Sequence, residues 1–295
     1  MKYQVRHTTK FAYSEAVPVC HNLVHLAPRV LPRQTCDAFR LLIHPEPLHV
    51  QHRRDYFGNE VTFFSIDQPH RGLTVTATSR VAVAAVPVIA ASETPPWDAL
   101  AARLRTDRAA ATLDAYQYVA DSPSIKPFAA LSEYAKASFP AGRPILEAVL
   151  DLTARVHREF SYDPRATTIR TPIREVFENR HGVCQDFAHL QIACLRSIGL
   201  AARYVSGYLR TLPPPGKPRL VGADASHAWL SVYCGAAGWV DVDPTNNVVV
   251  STDYIVVAWG RDYTDVCPIQ GVIVGGGDHK MHVSVDVAQD DSAAN

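Results

Sequence analysis

The stretch Arg180-His181-Gly182-Val183-Cys184-Gln185-Asp186-Phe187-Ala188-His189-Leu190, continued by Gln191-Ile192-Ala193-Cys194, decides how the chain is read. Apolar Val183, Phe187, Leu190, Cys194 and Ile198 recur at spacings of four, three, four and four, which predicts a helix with one buried face. Gly199 supplies its stop. Cys184 then falls in the first turn, where unpaired amide N–H groups and the positive end of the helix dipole favour thiolate over thiol. A lone cysteine on an apolar helix is more often packing, because free cysteine is among the most buried residue types. The choice between nucleophile and packing turns on what the rest of the chain brings to it.

Two downstream segments bring a histidine and carboxylates. In Ser226-His227-Ala228-Trp229-Leu230-Ser231-Val232-Tyr233, one face holds His227, Trp229, Ser231 and Tyr233. In Gly238-Trp239-Val240-Asp241-Val242-Asp243-Pro244-Thr245, Trp239, Asp241 and Asp243 alternate with Val240 and Val242. Each predicts a strand, and the short Cys234-to-Gly238 connection predicts a hairpin. Pairing Tyr233 with Trp239 sets Trp229 opposite Asp243 and makes His227 its diagonal neighbour. A slip of two residues sets His227 directly opposite Asp243 instead. Either register puts an imidazole and a carboxylate within reach, beside a thiol at a helix start, which is a nucleophile–base–orienter arrangement.

These three blocks resemble the core motifs of the transglutaminase-like superfamily, in the bacterial branch often described as cysteine proteases. The resemblance implies an α+β core of papain/transglutaminase type, with the cysteine helix packed on an antiparallel sheet bearing the histidine and the acid. It assigns the catalytic Cys, His and Asp to Cys184, His227 and Asp243. Asp241, on the same strand face, is the runner-up for the acid. Arg6-His7-Thr8-Thr9 and Asp55-Tyr56-Phe57-Gly58-Asn59 further resemble the N-terminal domain that accompanies this branch, so the likeness spans nearly the whole chain.

Composition excludes several classes. The 295 residues are 47% hydrophobic and 20% charged, the profile of a globular protein with a substantial core. Twenty-nine basic and twenty-nine acidic residues cancel, which gives no support for binding nucleic acid or an anionic membrane. The opening Met1-Lys2-Tyr3-Gln4-Val5-Arg6-His7 has no apolar run, and the Val81 to Ala91 stretch is too short to span a bilayer. Cysteines 20, 36, 184, 194, 234 and 267 show no CxxC and read as reduced thiols, so the expected location is cytoplasmic. The histidines at 7, 21, 25, 44, 49, 52 and 70 read as solvated or hydrogen-bonded surface groups, because none has the paired spacing of a zinc site apart from His49 and His52, which would not face each other on a strand.

Residues 1–86 alternate apolar and polar positions between Pro, Gly and Asn punctuation and predict an antiparallel β-sandwich. Residues 87–140 read as a helical linker, with a loose joint at Pro87 to Pro96. Residues 141–289 form the catalytic core with its C-terminal strands, and 290–295 a disordered tail. Ile145, Val149, Leu152, Val156 and Phe160 define a helix; Thr171-Pro172 opens another; Arg203 to Leu209 is a strand. Pro213 to Pro218 is a surface loop at the rim of the cleft. Gly275-Gly276-Gly277 lacks the P-loop pattern and reads as a hairpin bend.

The expected activity is cysteine-dependent transfer of an amide acyl group, chiefly hydrolysis of a peptide or protein substrate, without cofactor or metal and with oligomeric state open. The Cys184 N–H is the first oxyanion donor; Gln185 and Tyr162 are candidates for the second. Transglutaminase activity uses the same residues with an amine in place of water. A metal site of Cys184, His227, a carboxylate and His189, and a non-catalytic peptide-binding module, are the rivals from other classes. Asp186 and His189 otherwise read as structural groups around the helix start.

Overall fold

Tyr3, Val5, His7, Thr9 and Tyr13 are buried at alternate positions of β1 (Lys2–Val17), the period of a strand with one face on a core. Five more strands follow: β2 (Val19–Val24), β3 (Gln34–His44), β4 (His49–Arg54), β5 (Glu60–Ile66) and β6 (His70–Val83). The computed structural model describes residues 1–85, 87–211 and 226–290.

Then come α1 (Trp97–Thr106), α2 (Ala110–Tyr116), α3 (Ala129–Lys136), α4 (Ile145–Glu159), β7 (Ser161–Tyr162), α5 (Ile173–Asn179), β8 (His181–Gly182) and α6 (Cys184–Ser197). The cysteine helix is followed by β9 (Ala202–Leu209), β10 (Ser226–Tyr233), β11 (Trp239–Asp243), β12 (Val248–Val249) and β13 (Tyr254–Gly260), which form one antiparallel sheet in the order β12-β11-β10-β9-β13. Phe187, Leu190 and Cys194 of α6 pack with Ala228, Leu230 and Val232 of β10 in one buried cluster. The opposite face of β10 carries Trp229 into a second cluster with Val205, Val250, Tyr254 and Val256. The architecture is α+β, with N-terminal antiparallel sheets and a mixed helix–sheet core, as the sequence predicts.

Three domain expectations are corrected. The last strands, β14 (Ile269–Val274) and β15 (His279–Gln289), do not extend the core: they pair with β2 and β1 and complete the N-terminal sheets, β15-β1-β6-β3 and β14-β2-β5-β4. Gly275 to Gly277, all at positive φ, therefore carry the chain between two sheets rather than around a hairpin. Gln289, expected to end the catalytic core, pairs with Tyr3 of the N-terminal sheet.

Nor is 87–140 a linker. Leu100, Leu104, Ile125, Leu131 and Phe139 are buried in the same cluster as α6. The expected loose joint is tied to α4 at its C-terminal end, where Leu146 N–H donates to Thr94 Oγ1 at 3.1 Å and Ile145 N–H to the Pro95 carbonyl at 2.9 Å. The Pro213 to Pro218 loop and the tail from 291 lie outside the described residues.

The sandwich docks on the edge strand β13 through side chains that imitate strand pairing. Gln34 Nε2 donates to the Val256 carbonyl at 2.7 Å and its Oε1 accepts from Val256 N–H at 2.8 Å. Asn59 does the same with Trp259, at 2.8 and 3.0 Å. Several histidines are also not on the surface. His7 is buried against Tyr208, Nδ1 to Oη 3.0 Å, and His25 and His70 are buried too. Burial lowers the His7 pKa to about 4, so it sits there neutral.

Candidate active site

The position of α6 is set by the turn before it. Arg180 closes α5 with a left-handed φ of 58°, and its guanidinium lies over Phe177, Phe160 and Tyr134 at 4.6, 4.7 and 5.3 Å from the ring centres. His181 and Gly182 then pair in parallel with Ser161 and Tyr162. A side chain at Gly182 has no room, since a Cβ there would stand 2.8 Å from both Cβ and Oδ2 of Asp186. Asp186 Oδ2 accepts from Val183 N–H at 2.8 Å and from the Thr167 hydroxyl at 2.6 Å, and so holds the first turn from inside. Cys184 is the first residue of the helix, half-buried, and its N–H has no acceptor one turn back.

His227 is the second residue of β10 and Asp243 closes β11. The hairpin takes the first of the two expected registers, with Tyr233 opposite Trp239 and Leu230 opposite Val242. His227 Nε2 lies 2.7 Å from Asp243 Oδ2, across the diagonal. Cys184 stands beside the same imidazole, near enough for its thiol and charge to act on it. Burial alone would lower the His227 pKa; the bond to Asp243 and then the thiol and charge of Cys184 outweigh it and lift the pKa to about 9. The structure thus brings Cys184, His227 and Asp243 together.

Asp243 is wholly buried, and its carboxylate is fully engaged. Oδ2 also accepts from Asn246 Nδ2 at 2.6 Å and Tyr254 Oη at 2.7 Å, while Oδ1 accepts from Thr245 N–H at 2.8 Å. Burial opposes ionisation, but the bonds from His227, Asn246 and Tyr254 hold the pKa below the usual carboxylate value. Asn246 and Tyr254 are groups that the sequence reading missed. Asn246 had a signal, because Asp-Pro-Thr-Asn is turn chemistry that folds back on its own aspartate. Tyr254 had none, since it arrives on another strand.

The runner-up acid is elsewhere. Asp241 Oδ2 accepts from Arg33 Nη2 at 2.8 Å and Trp229 Nε1 at 3.3 Å, and it steadies the indole that stacks on His227 at 6.1 Å. Of the oxyanion candidates, Gln185 Nε2 reaches the Ile169 carbonyl at 3.4 Å and points away. Tyr162 is more than half exposed and stands near Cys184; burial and then the cysteine's charge raise its pKa. His189 accepts from Tyr263 N–H through Nε2 at 3.1 Å, with its pKa lowered to about 4 by burial, and does not join Cys184 as a ligand. Among the described residues no group of three His, Cys, Asp or Glu is placed to hold a metal.

The other five thiols are set apart by burial, which raises the pKa of each: Cys194 and Cys234 to about 12, and Cys20, Cys36 and Cys267 upward as well. Cys20 is fully buried in the sandwich core, with Asn22 Nδ2 donating to it at 3.3 Å. No helix among the described residues is long and apolar enough to cross a membrane.

Residues 3–82 match the bacterial transglutaminase-like N-terminal region, and residues 132–244 match the transglutaminase-like superfamily. An uncharacterised protein of Mycobacterium tuberculosis is 44% identical over 299 residues, covering 97% of this chain and 92% of its own. A protein-glutamine gamma-glutamyltransferase of Pseudomonas aeruginosa is 33% identical over 105 residues, 33% of this chain and 16% of that one. The crystal structure of a protein provisionally described as a cysteine protease, from Cytophaga hutchinsonii, superposes with a TM-score of 0.74 at 19% identity. It covers 99% of this chain and 92% of that one, a likeness of fold.

Proposed function

The chain belongs to the bacterial transglutaminase-like superfamily, and from that premise we propose that it is a thiol-dependent enzyme that cleaves peptide or amide bonds through Cys184, His227 and Asp243. The observation that carries the reading is one imidazole bonded to a buried carboxylate and standing beside a thiol at a helix start. Cys184 attacks the amide carbon as thiolate. The C–N bond breaks, the proton on His227 goes to the departing amine, and a thioester remains. Water then attacks the thioester and gives its proton to His227, which releases the acid and restores the thiolate–imidazolium pair. Asp243 holds the ring and stabilises its charge throughout. The Cys184 N–H and the Tyr162 hydroxyl are the donors for the oxyanion.

Transfer to an amine rather than water is the second reading, favoured by the gamma-glutamyltransferase relative, whose match takes in a third of this chain. Incubation of a glutamine-bearing peptide with a fluorescent primary amine separates them. Amine incorporation supports transfer, whereas ammonia or peptide fragments alone support hydrolysis. Absence of both, with Cys184 no more reactive than Cys194, would leave the fold as a binding module.

A further inference from the structure

Pro123, Pro127 and Pro172 keep two segments out of regular structure, Ser124 to Phe128 and Ile169 to Thr171, and these face one another across a pocket of about 710 Å³. Tyr263, Thr264 and His189 contribute to its lining. One wall leans on the first turn of the cysteine helix, where Gln185 bonds the Ile169 carbonyl and Thr167 bonds Asp186. Through Ile169 the lining adjoins the helix turn that carries Cys184.

The lining is charged with one sign. Lys126, Arg170 and Arg174 border it, all exposed, and no Asp or Glu does. Yet the whole chain balances 29 basic against 29 acidic residues, so the surplus is local placement and not composition. Arg174 is partly offset by Glu178 at 3.8 Å, an exposed pair that solvent screens, and its guanidinium lies over Phe128 at 4.2 Å. His189 adds no charge near neutral pH, being held neutral by burial. Behind the lining the buried Asp262 accepts from Ser124 N–H at 2.7 Å and from Thr264, but at the exposed rim the three cations outnumber Glu178 and raise the local concentration of anions.

We propose that this pocket takes an acidic stretch of the substrate, a peptide that carries carboxylates beside the amide attacked by Cys184; the proposal rests on the acyl-transfer reading above. The cations bind as point charges at an open rim, so selectivity comes from charge more than from side-chain shape, and each contributes roughly three- to fivefold in affinity.

The test uses the full chain as Cys184→Ala, so that binding is read without turnover. Three rhodamine-labelled octapeptides are titrated by fluorescence anisotropy: one alternating Glu and Ala, one with Gln for Glu, one with Lys for Glu. The Glu peptide should bind at least tenfold tighter than the Gln peptide at 50 mM salt, and the margin should collapse at 500 mM. Lys126→Ala with Arg170→Ala should remove most of the preference, and Lys126→Glu with Arg170→Glu should shift it to the Lys peptide. These exposed positions make no contact that folding needs. Equal binding of the Glu and Gln peptides, no binding of either, or a preference untouched by both double variants would overturn the proposal. Labelling of Cys184 by iodoacetamide in the wild type is scored separately, so loss of the thiol chemistry and loss of acidic selectivity are told apart.

Discussion

Tyr254 and Asp243 are joined by a buried 2.7 Å hydrogen bond from phenol to carboxylate, which ties the acid of the site to the strand on which the N-terminal sandwich docks. The phenol is one of three side chains that donate to the same oxygen, the others belonging to His227 and Asn246. Tyr254→Phe removes one donor to a buried charge at almost constant volume. It should cost about 1–3 kcal/mol of stability and let the Asp243 pKa rise. Urea unfolding at pH 7 reads the first effect. The second should appear as an acid limb of Cys184 labelling that moves to higher pH; an unmoved limb would mean that Tyr254 only packs.

Selective chemistry at the thiol is the next expectation. Cys184 stands half-buried at a helix start beside an imidazole, while burial opposes ionisation of the other five cysteines. Limiting iodoacetamide near pH 6 should mark Cys184 first, by peptide mapping. His227→Ala should slow that labelling, and Asp243→Asn should slow it less. On turnover, loss of His227 should cost roughly 10²–10⁴-fold. Labelling of Cys184 no faster than of Cys267, with both variants silent, would sink the nucleophile assignment.

Stability should also carry the signature of His227. Its pKa in the folded chain is about 9, against 6.5 for an unshifted histidine. A raised pKa means that the folded state holds the proton more tightly. The stabilisation is complete below pH 6.5 and drains away as pH climbs to about 9, at most on the order of 3 kcal/mol. His7 and His189 work in the other direction: each is lowered to about 4, so their contribution is intact above 6.5 and lost as pH falls toward 4. Urea midpoints should therefore fall on both sides of pH 6.5, and His227→Gln should flatten the alkaline side alone. An alkaline slope that survives in His227→Gln would assign it to another group.

What could be read in advance followed the range of each signal. The α6 face and the hairpin register come from spacings within one element or between neighbours, and those periods are local physics. The acid was legible as Asp243 or Asp241 because both lie on one strand face; only the third dimension shows Arg33 and Trp229 claiming Asp241. The misplaced strands share another cause. Nothing in Ile269 to Gln289 says which sheet it will join, since the edges of β1 and β2 were supplied more than 200 residues earlier. Likewise Leu100, Leu104 and Leu131 read as faces of short helices, and the pattern is silent on the partner. His7 read as a surface histidine and lies at the junction with the core, as does Gln34, for which the sequence carries no signal.

Gln34 gives the test of that junction. It is a buried amide whose oxygen accepts from Val256 N–H at 2.8 Å and whose nitrogen donates to the carbonyls of Val256 and Arg29 at 2.7 and 2.8 Å. β13 is the last strand of its sheet, so without this side chain the Val256 N–H faces no strand and, being buried, no water, while its carbonyl keeps the Arg29 N–H at 3.2 Å. Gln34→Leu keeps the bulk and deletes every bond, which should cost about 2–4 kcal/mol in urea unfolding. Gln34→Glu keeps the acceptor for Val256 N–H but turns the donor toward two carbonyls into an anion, and should cost at least as much at pH 7. Its loss should shrink at acid pH, where the carboxyl carries a proton to donate. A Gln34→Leu protein within about 0.5 kcal/mol of wild type would show that the Gln34 bonds do not hold the junction. Because Val256 lies two residues along β13 from Tyr254, a real loosening should also blunt the pH response of Cys184 labelling, and that second readout separates a weakened junction from a general loss of stability.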